Sequence, residues 1–413
     1  MSSASDATTG QAPVVSVARH PPFILFWFGR VMSTLSFQML SVAVGWQVYE
    51  ITGSAFDLGL VGLAQFIPMV LLTFVVGQVA DRYDRRAIAS ICMIVEALAA
   101  GALALGTYQG WLTRELILAL VAIGGAGRAF ESPTMAALVQ GVVPRELIPQ
   151  AAAWTTSATQ TAQILGPALG GLLYGFGSMT AYVVACVFFS VGGVLVALIR
   201  AERVVSTREP ATLKTMFSGL SFIRSRPIIL GTLSLDLFAV LLGGATALLP
   251  IYARDILETG PWGLGLLRTS PAVGALTMSV VLAHFPIRHH VGRALFASLV
   301  VFGLATVVFG LSTHLLVSMA ALFVLGASDV ISVVIRFTLV QLQTPPEMLG
   351  RVSAVNSLFI GTSNQLGEFE SGVTAALFGV VPAVLIGGAG TIAIALLWMV
   401  LFPQLRKLKS LEG

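Results

Sequence analysis

The chain has 413 residues, of which 56% are hydrophobic and only 10% are charged. Because soluble globular proteins carry about 25% charged residues, this composition excludes a soluble fold and indicates a protein that crosses the lipid bilayer many times. The formal net charge of +4 is small, and it gives no reason to expect nucleic acid as a partner.

Apolar runs follow one another along the chain, separated by short turns. Each is about 20 residues or longer, which is enough for a helix to cross the hydrocarbon core. None shows the polar–apolar alternation of a membrane β-barrel. The sequence therefore predicts an all-α membrane protein of twelve transmembrane helices. These helices, numbered in chain order, are expected at residues 23–49, 57–80, 87–108, 115–139, 151–175, 180–200, 227–253, 263–284, 294–312, 314–338, 353–375 and 381–403.

One long polar stretch divides the twelve helices into two sets of six. We predict a polar tail and an N-terminal six-helix bundle, then a linker, a C-terminal six-helix bundle and a basic tail. Their expected bounds are 1–22, 23–200, 201–226, 227–403 and 404–413.

An internal repeat supports this division. The segment 138–148 recurs 201 residues later, with Leu-Val-Gln, Pro and Glu at matching positions. The same offset places Gly166 on Gly367 and Gly171 on Gly372. Duplicated six-helix units are expected in transporters whose two halves move around a site at the membrane midplane. The repeat therefore predicts two pseudo-symmetric bundles.

Basic residues are distributed unevenly between the two ends of the predicted helices. Seventeen Lys and Arg lie in tails and loops on the side of the N-terminus, whereas Arg114 and Arg254 lie on the other side. Cytoplasmic loops carry the excess of Lys and Arg in membrane proteins. We therefore expect a multi-pass membrane protein with both termini in the cytoplasm. The remaining four basic residues lie within the predicted helices: Arg30, Arg128, Arg268 and Arg336.

Helices 2 and 3 are joined by a short charged stretch, Gly77-Gln-Val-Ala-Asp81-Arg82-Tyr-Asp84-Arg85-Arg86. It has no room for a folded domain, so its charges can act only on neighbouring helix ends. Asp81 can accept a hydrogen bond from a helix N-terminus or pair with an arginine of the opposite half. This favours a mechanical role in a protein whose helices move. A simple basic anchor that sets the topology is the alternative.

Helix 5 contains the segment Gly166-Pro167-Ala-Leu-Gly170-Gly171. Glycines beside a proline predict a kinked face, poor in side chains, on which another helix can approach closely. For Gly170 and Gly171 alone, ordinary packing of small residues is the alternative.

Several ionisable residues lie inside the predicted helices. Each costs about 2.5–3.5 kcal/mol on insertion scales, so each is a candidate for function. Arg128 and Glu131 are three residues apart and can neutralise each other on one helix face. The acidic and basic candidates are Arg128 and Glu131 in helix 4, Asp236 in helix 7, Asp329 and Arg336 in helix 10, and Glu368 and Glu370 in helix 11.

Together these features resemble the major facilitator superfamily over nearly the whole chain. The charged stretch resembles the family motif G-x-L-a-D-R-x-G-R-K/R, with Asp84 where glycine is usual. The helix 5 segment resembles the G-x-x-x-G-P-x-x-G-G signature of proton-coupled antiporters, with Ala162 at its first glycine. The segments 343–351 and 367–372 resemble the bacterial branch of enterobactin (siderophore) and macrolide exporters, which implies a location in the bacterial inner (cytoplasmic) membrane.

The resemblance implies roles for these residues. A gate that holds the cytoplasmic side closed would be formed by Gly77, Asp81, Arg82, Arg85 and Arg86. The antiporter-type motif would be Gly166, Pro167, Gly170 and Gly171. The family's central cavity is lined by helices 1, 4, 7 and 10, so the candidate cavity residues are Gln38, Arg128, Glu131, Asp236, Asp329 and Arg336.

Carboxylates in the helices are also candidates for proton coupling. Removal from water disfavours the ionised form, so such a group can bind and release a proton as its exposure changes. A structural ion pair or hydrogen bond is the alternative for each of them, and Glu96 in helix 3 is interpreted as structural. The proton-coupling candidates are Glu131, Asp236, Asp329, Glu368 and Glu370.

The predicted function is that of a secondary active transporter. We expect a proton-coupled exporter (antiporter) of siderophores, drugs or similar small amphipathic molecules that works by alternating access. The alternative is a proton-coupled symporter or uniporter that imports a small nutrient. A membrane sensor or an integral-membrane enzyme is a more distant alternative.

Partners and cofactors follow from the same features. The expected partners are a small-molecule substrate, protons and the lipid bilayer, and a monomer is expected. No phosphate-binding G-x-x-x-x-G-K-S/T sequence is present, so no cofactor is expected and the proton gradient should supply the energy. No metal site is expected, because Cys92 and Cys186 are the only cysteines and both lie inside apolar runs.

Overall fold

The computed structural model of the protein describes residues 17–200 and 213–410, with the side chains of residues 73, 74, 77, 78, 80, 81 and 213–217 outside the description. Within the described residues the chain forms helices and helical turns, without strands. The predicted tails and linker fall partly outside them, at residues 1–16, 201–212 and 411–413.

The all-α fold class and the twelve predicted helices are confirmed in the described part of the chain. The helices run Pro21–Thr52, Ala55–Arg82, Arg85–Gln109, Arg114–Val142, Ile148–Gly175, Ser178–Ala197, Pro227–Leu242, Gly260–His284, Val291–Leu311, Leu315–Gln343, Pro346–Phe378 and Val380–Leu401. Helix 7 continues beyond Leu242 as the short helical turns Ala245–Leu248, Leu249–Ile251 and Tyr252–Ile256.

Ten of these helices are long and apolar enough to cross a membrane, counted over the described residues. Helices 5 and 11, with 28 and 33 residues, are long enough but more polar. In helix 5 the exposed residues Thr156, Ser157 and Gln160 account for part of that polarity. Polar side chains on a membrane helix are expected to face a water-filled space or another helix rather than lipid.

Two bundles of six helices pack against each other through two pairs of helices. Helix 1 packs on helices 5 and 6, and helix 9 packs on helices 10 and 12. Between the bundles, helix 2 packs on helix 11 and helix 5 packs on helix 8. The 201-residue repeat relates helix 5 to helix 11, so the two contacts are pseudo-symmetric.

Both described chain ends lie at one face of the molecule, which we call the terminal face. The main-chain nitrogen of Val17 donates to Gln150 Oε1 at the start of helix 5, over 3.1 Å. The main-chain nitrogen of Gly292, at the start of helix 9, donates to the carbonyl of Leu408, also over 3.1 Å. The other end of the helices is the opposite face.

The hydrophobic core is continuous between the bundles only towards the opposite face, among the described residues. One large cluster there joins Val42 and Leu58 of the N-terminal bundle to Leu248 and Phe309 of the C-terminal bundle. Clusters near the terminal face are confined to one bundle each, around Phe26 in one and around residues such as Phe296 in the other. Because close packing of side chains holds membrane helices together, the two bundles are joined mainly towards the opposite face.

Two features of the fold were not predicted. The expected run 227–253 is interrupted where Gly244 lies against the carbonyl of Gly367 in helix 11, too close for any side chain. In addition, Leu213–Ser225 within the predicted linker forms a helix. A side chain at Gly219 would meet the main chain of Arg351 in helix 11, so this helix packs closely on the C-terminal bundle.

Candidate substrate cavity and gates

Helices 1 and 7 close the opposite face through polar contacts. The hydroxyl of Tyr49, near the end of helix 1, donates to Asp255 Oδ2. Arg254 Nη1 donates to the carbonyl of Tyr49 over 3.2 Å, and its guanidinium lies 5.5 Å from the centre of the Tyr49 ring. Such contacts can break in water at modest cost, which suits a gate that must open.

Glycines bring the helices of the two bundles into backbone contact near the opposite face. A Cβ added to Gly171 of helix 5 would lie 2.9 Å from the Cα of Gly265 in helix 8 and would also meet the carbonyl of Pro261. A Cβ added to Gly372 of helix 11 would lie 2.7 Å from the Cα of Gly59 in helix 2. The repeated glycines therefore occupy equivalent contacts in the two halves.

The other residues of the predicted antiporter-type motif face helix 1 and helix 8. Gly166 lies against Gln38, and a Cβ added to Gly170 would be 2.8 Å from the carbonyl of Met39. The carbonyl of Pro167 would be 2.8 Å from a Cβ added to Gly265. The motif thus forms a surface poor in side chains on which helices 1 and 8 pack.

Helices 5 and 8 carry exposed residues towards the terminal face, beyond the contact of Thr269 Oγ1 with the carbonyl of Ile164 at 3.0 Å. On each of the two helices, one side makes the contacts described above. Residues on the same side of a helix recur every three to four positions. Following that face towards the terminal face leads to Ser157 and Gln160 on helix 5 and to Leu276 and Val280 on helix 8, all of them exposed. We call the space between these four residues the vestibule. The described conformation is therefore closed at the opposite face, and the vestibule between helices 5 and 8 is uncovered towards the terminal face.

A cavity of about 230 Å³ lies between the two bundles, and we call it the central cavity. Helices 1 and 2 line it from one side, and helices 7, 8 and 11 line it from the other. Its polar lining consists of Gln38, Ser41 and Gln65 from the N-terminal bundle and Arg268, Gln365 and Glu368 from the C-terminal bundle.

Arg268 and Glu368 are the charged residues in this lining, and each also touches the other bundle. The guanidinium of Arg268 donates to Ser41 Oγ of helix 1. A Cβ added to Gly62 of helix 2 would lie 2.8 Å from Glu368 Oε2, so the carboxylate sits directly against that helix. A change in the charge of either residue therefore alters a contact between the bundles.

Two buried polar atoms of the cavity lining make no hydrogen bond within the described protein. They are Nε of Arg268 and Oε1 of Gln365. Buried polar groups in proteins are nearly always paired, with protein, water or a ligand. These two atoms are therefore available to bind a polar group that enters the cavity.

Most of the predicted cavity residues lie elsewhere. Gln38 lines the central cavity, whereas Arg128 and Glu131 form an ion pair inside the N-terminal bundle. Ser33 of helix 1 donates to Glu131 over 2.7 Å and accepts from Arg128 over 3.0 Å. The Arg128 guanidinium also lies 4.8 Å from the ring centre of Phe37.

The C-terminal bundle contains a corresponding ion pair. Arg336 of helix 10 donates to Asp236 of helix 7, and both side chains are largely buried. Asp329, which is also on helix 10, lies near both Arg336 and Asp236. The structure thus brings the predicted helix 7 and helix 10 residues together, within one bundle rather than in the lining of the central cavity.

The two carboxylates of helix 11 point in different directions. Glu368 lines the central cavity, whereas Glu370 accepts a hydrogen bond from Thr374 of its own helix over 2.6 Å. Of the five candidates for proton coupling, Glu368 is the one in the lining of the central cavity.

The charged stretch between helices 2 and 3 is described in part. The side chain of Asp81 lies outside the description, and only the helical backbone is described at Gly77, so the predicted role of these two residues stays a prediction. Arg86 donates to the carbonyl of Ile199 at the end of helix 6 over 2.6 Å, and Arg85 donates to the carbonyl of Ala137 in helix 4 over 3.5 Å. Arg82 is exposed at the end of helix 2.

Asp84, which stands where the family motif has glycine, caps helix 3. Its side chain accepts from the main-chain nitrogen of Arg86 over 3.0 Å and forms an ion pair with the Arg86 guanidinium at 2.6 Å. A carboxylate at the N-cap satisfies a free backbone donor and interacts favourably with the helix dipole. The departure from the motif therefore stabilises the start of helix 3.

This cap gives a prediction for stability. Replacing Asp84 with alanine should lower the free energy of unfolding by about 1 kcal/mol, the typical cost of a lost N-cap. Asp84→Asn is the matched control, since asparagine caps equally well but cannot form the ion pair. Thermal unfolding in detergent, followed by tryptophan fluorescence, should show a lower midpoint for Asp84→Ala than for Asp84→Asn. Equal midpoints would contradict the capping role.

Four polar residues of the cavity lining were not among the predicted site residues: Ser41, Gln65, Arg268 and Gln365. For Arg268 the sequence carried a usable signal, because it is an arginine inside a predicted membrane helix. Gln65 and Gln365 gave no comparable signal, since a lone glutamine in an apolar helix is common. Only helix packing turns them towards one cavity.

A helical membrane protein with two pseudo-symmetric six-helix bundles, a polar cavity between them and one closed face is a transporter of the major facilitator class. Residues 10–412 match the family model described as transmembrane secretion effector. The chain therefore belongs to this family of major facilitator transporters, and it is not an enzyme.

Similar proteins of known name include bacterial exporters. The chain is 23% identical to macrolide efflux protein A of Streptococcus pyogenes over 401 residues, covering 94% of this chain and 97% of that protein. It is 29% identical to the enterobactin exporter EntS of Citrobacter koseri over 411 residues, covering 95% and 94%. The predicted resemblance to this branch is confirmed at low identity.

Solved structures of transporters share the fold. A crystal structure of the nucleoside transporter NupG has a TM-score of 0.72 at 13% identity and covers 92% of this chain and 100% of its own. An inward-facing bacterial homolog of the human lysosomal transporter Spinster also has a TM-score of 0.72, at 12% identity, covering 93% and 95%. At such identities these structures show the fold alone.

Proposed function

We propose that the protein is a proton-coupled exporter of small amphipathic molecules that works by alternating access. The observation that carries this proposal is the central cavity, which is polar, lies between the two bundles and is closed at the opposite face. A cavity reached from one face at a time is the requirement for moving a solute across the membrane without a leak.

The orientation of the protein supports export. Lys and Arg are concentrated in the loops and tails at the terminal face, which the positive-inside rule assigns to the cytoplasm. The vestibule then opens towards the cytoplasm of a bacterial cell, the side from which an exporter loads its substrate. Both named relatives are exporters.

The dimensions of the cavity suggest what it binds. Its volume of about 230 Å³ is below the about 300–1,000 Å³ of pockets for drug-sized ligands. It holds one polar part of such a substrate, while the remainder lies in the vestibule. Arg268 favours an anionic or hydrogen-bond-accepting group at this position.

Glu368 is the proton-coupling group that this proposal favours. It borders the central cavity and lies against helix 2 of the other bundle, so its charge affects both the site and the contact between bundles. Binding of a proton at Glu368 changes the charge beside Arg268, so proton binding and substrate binding in this cavity are coupled.

Transport into inverted membrane vesicles tests the proposal. Vesicles containing the protein should accumulate a labelled macrolide or enterobactin when their lumen is made more acidic than the medium. A protonophore should abolish the accumulation. Accumulation that persists with the protonophore would contradict proton coupling. Comparing metabolites in medium and cytosol of a deletion strain, with iron-starved cultures included, should then identify the natural substrate.

A further inference from the structure

Glu96 lies in the middle of helix 3, inside the N-terminal bundle, and the mechanism above does not use it. Its side chain is buried, with 3% of its surface exposed. Neither carboxylate oxygen makes a hydrogen bond within the described protein. An ionised carboxylate without a partner is so unfavourable in an apolar interior that the group neutralises instead.

The nearest positive charge is already engaged. Arg128 of helix 4 pairs with Glu131 and donates to Ser33, which leaves Glu96 beside an occupied ion pair. Helix 4 makes room for Glu96 at Gly127, where an added Cβ would lie 3.1 Å from the Glu96 Cγ. Glu96 is therefore accommodated as a neutral group.

Other titratable groups around Glu96 do not supply a partner in this conformation. Helix 6, which packs along helix 3, carries no charged residue. Arg30 of helix 1 interacts electrostatically with Arg128 and Glu131. Towards the middle of the helices around Glu96, the titratable groups are Arg30, Cys92, Arg128, Glu131 and Cys186. The other charged side chains of helices 1 to 4 that the structure describes lie near the helix ends: Glu50, Asp57, Arg82, Arg85, Arg86, Arg114 and Glu115.

Glu96 borders a small cavity, which we call the side pocket. It has a volume of about 50 Å³ and lies between helices 1, 2, 3, 4 and 6. This volume is enough for water, since a water molecule needs about 10–15 Å³ of such space. Ser41 and Gln65 line both the side pocket and the central cavity, so the two spaces adjoin.

We propose that Glu96 is a second proton-binding site of the transporter, which exchanges its proton with the central cavity through the side pocket. This inference rests on the proton coupling proposed above. In the step, the carboxyl group of Glu96 releases a proton to water in the pocket and becomes a carboxylate, and uptake is the reverse. Arg128 can stabilise the carboxylate when it turns from Glu131 to Glu96.

Infrared spectroscopy of the purified protein in lipid tests the proposal without substrate or gradient. At neutral pH the wild type should show the carbonyl stretch of a protonated carboxyl group that Glu96→Gln lacks. Glu115→Gln, which changes an exposed carboxylate of helix 4, should keep the band. Transfer to D₂O should shift the band, because the proton exchanges with water. Absence of such a band from the difference spectrum of wild type minus Glu96→Gln, or a difference band that does not shift in D₂O, would overturn the proposal.

Two further variants make the test specific. Gly124→Val adds bulk to the side pocket at a position where a Cβ meets no atom within 4 Å, and it should slow the D₂O shift without removing the band. An exchange rate equal to that of the wild type would overturn the route through the pocket. If Glu96→Gln does not fold, Glu96→Asp should move the band to a different frequency, and an unmoved band would overturn the assignment.

These outcomes separate the two proposals. Accumulation in vesicles that is abolished by a protonophore, together with a band unchanged in Glu96→Gln, would overturn the role of Glu96 alone. Accumulation indifferent to the protonophore, with the Glu96 band present and exchanging, would overturn the proposed function alone.

Discussion

Replacing Gly171 with valine is expected to push helices 5 and 8 apart at the opposite face and to impair transport. The added Cβ would meet the backbone of Gly265 and Pro261, which belongs to the other bundle and cannot rotate away. Overpacking of a close contact costs about 1–3 kcal/mol, and a free energy of this size shifts an equilibrium about 5- to 150-fold. The conformation open at the terminal face should lose population by this factor.

Labelling of a cysteine in the central cavity measures this shift. In a Cys92→Ala/Cys186→Ala background, Val44→Cys places a thiol in the cavity lining. Gly171→Val should increase its labelling by a membrane-impermeant maleimide added at the opposite face. Gly175→Val is the control, since a Cβ at Gly175 of the same helix meets no atom within 4 Å. Equal labelling in the two variants would contradict the seal formed by Gly171.

Replacing Arg268 with glutamine is expected to reduce transport by at least about 100-fold. The change removes the charge beside Glu368 and the hydrogen bond to Ser41 of the other bundle. A hydrogen bond to a charged group contributes about 1.5–3 kcal/mol, and the change removes both the contact with substrate and the one with Ser41. At 1.36 kcal/mol for each factor of ten in rate, the two losses together correspond to at least about 100-fold. Arg268→Lys should retain part of the activity, because it keeps the charge but loses the planar guanidinium.

Transport of a labelled macrolide or enterobactin in proteoliposomes is the measurement, with Arg293→Gln, an exposed arginine of helix 9, as the control. The double variant Arg268→Gln/Glu368→Gln should recover thermal stability, since no unpaired charge remains, but it should not drive accumulation with a proton gradient. Activity of Arg268→Gln equal to that of Arg293→Gln would contradict the proposed cavity.

The number and order of the helices could be predicted because each membrane helix must satisfy its own backbone hydrogen bonds in lipid. Each membrane helix therefore appears in the sequence as one long apolar run. The 201-residue repeat similarly predicted two bundles. The break in helix 7 could not be predicted, because Gly244 accommodates a contact with Gly367, which is distant in sequence.

The candidate site was predictable only in part. Charge inside helices identified Arg128, Glu131, Asp236 and Arg336, but ion pairing within each bundle holds these side chains away from the central cavity. Which face of a helix turns inward depends on packing between helices, and a single sequence does not specify it. For the same reason Arg268 could be recognised as a charge in a membrane helix but not as a cavity residue.

The small-residue motifs gave more reliable guidance to geometry. A glycine permits close approach wherever it lies on a helix face, so Gly166 and Gly171 predicted a contact without knowledge of the partner. The structure supplies those partners, which are helix 1 and helix 8.

Two distances within one molecule test most directly whether this protein alternates between conformations open at either face. In the cysteine-free background, spin labels at positions 176 and 262 report on the opposite face, and labels at 152 and 283 report on the terminal face, since all four residues are exposed. We expect a change of pH in lipid nanodiscs to lengthen the first distance while it shortens the second. Two distances that stay fixed, or that lengthen together, would contradict proton-driven alternation.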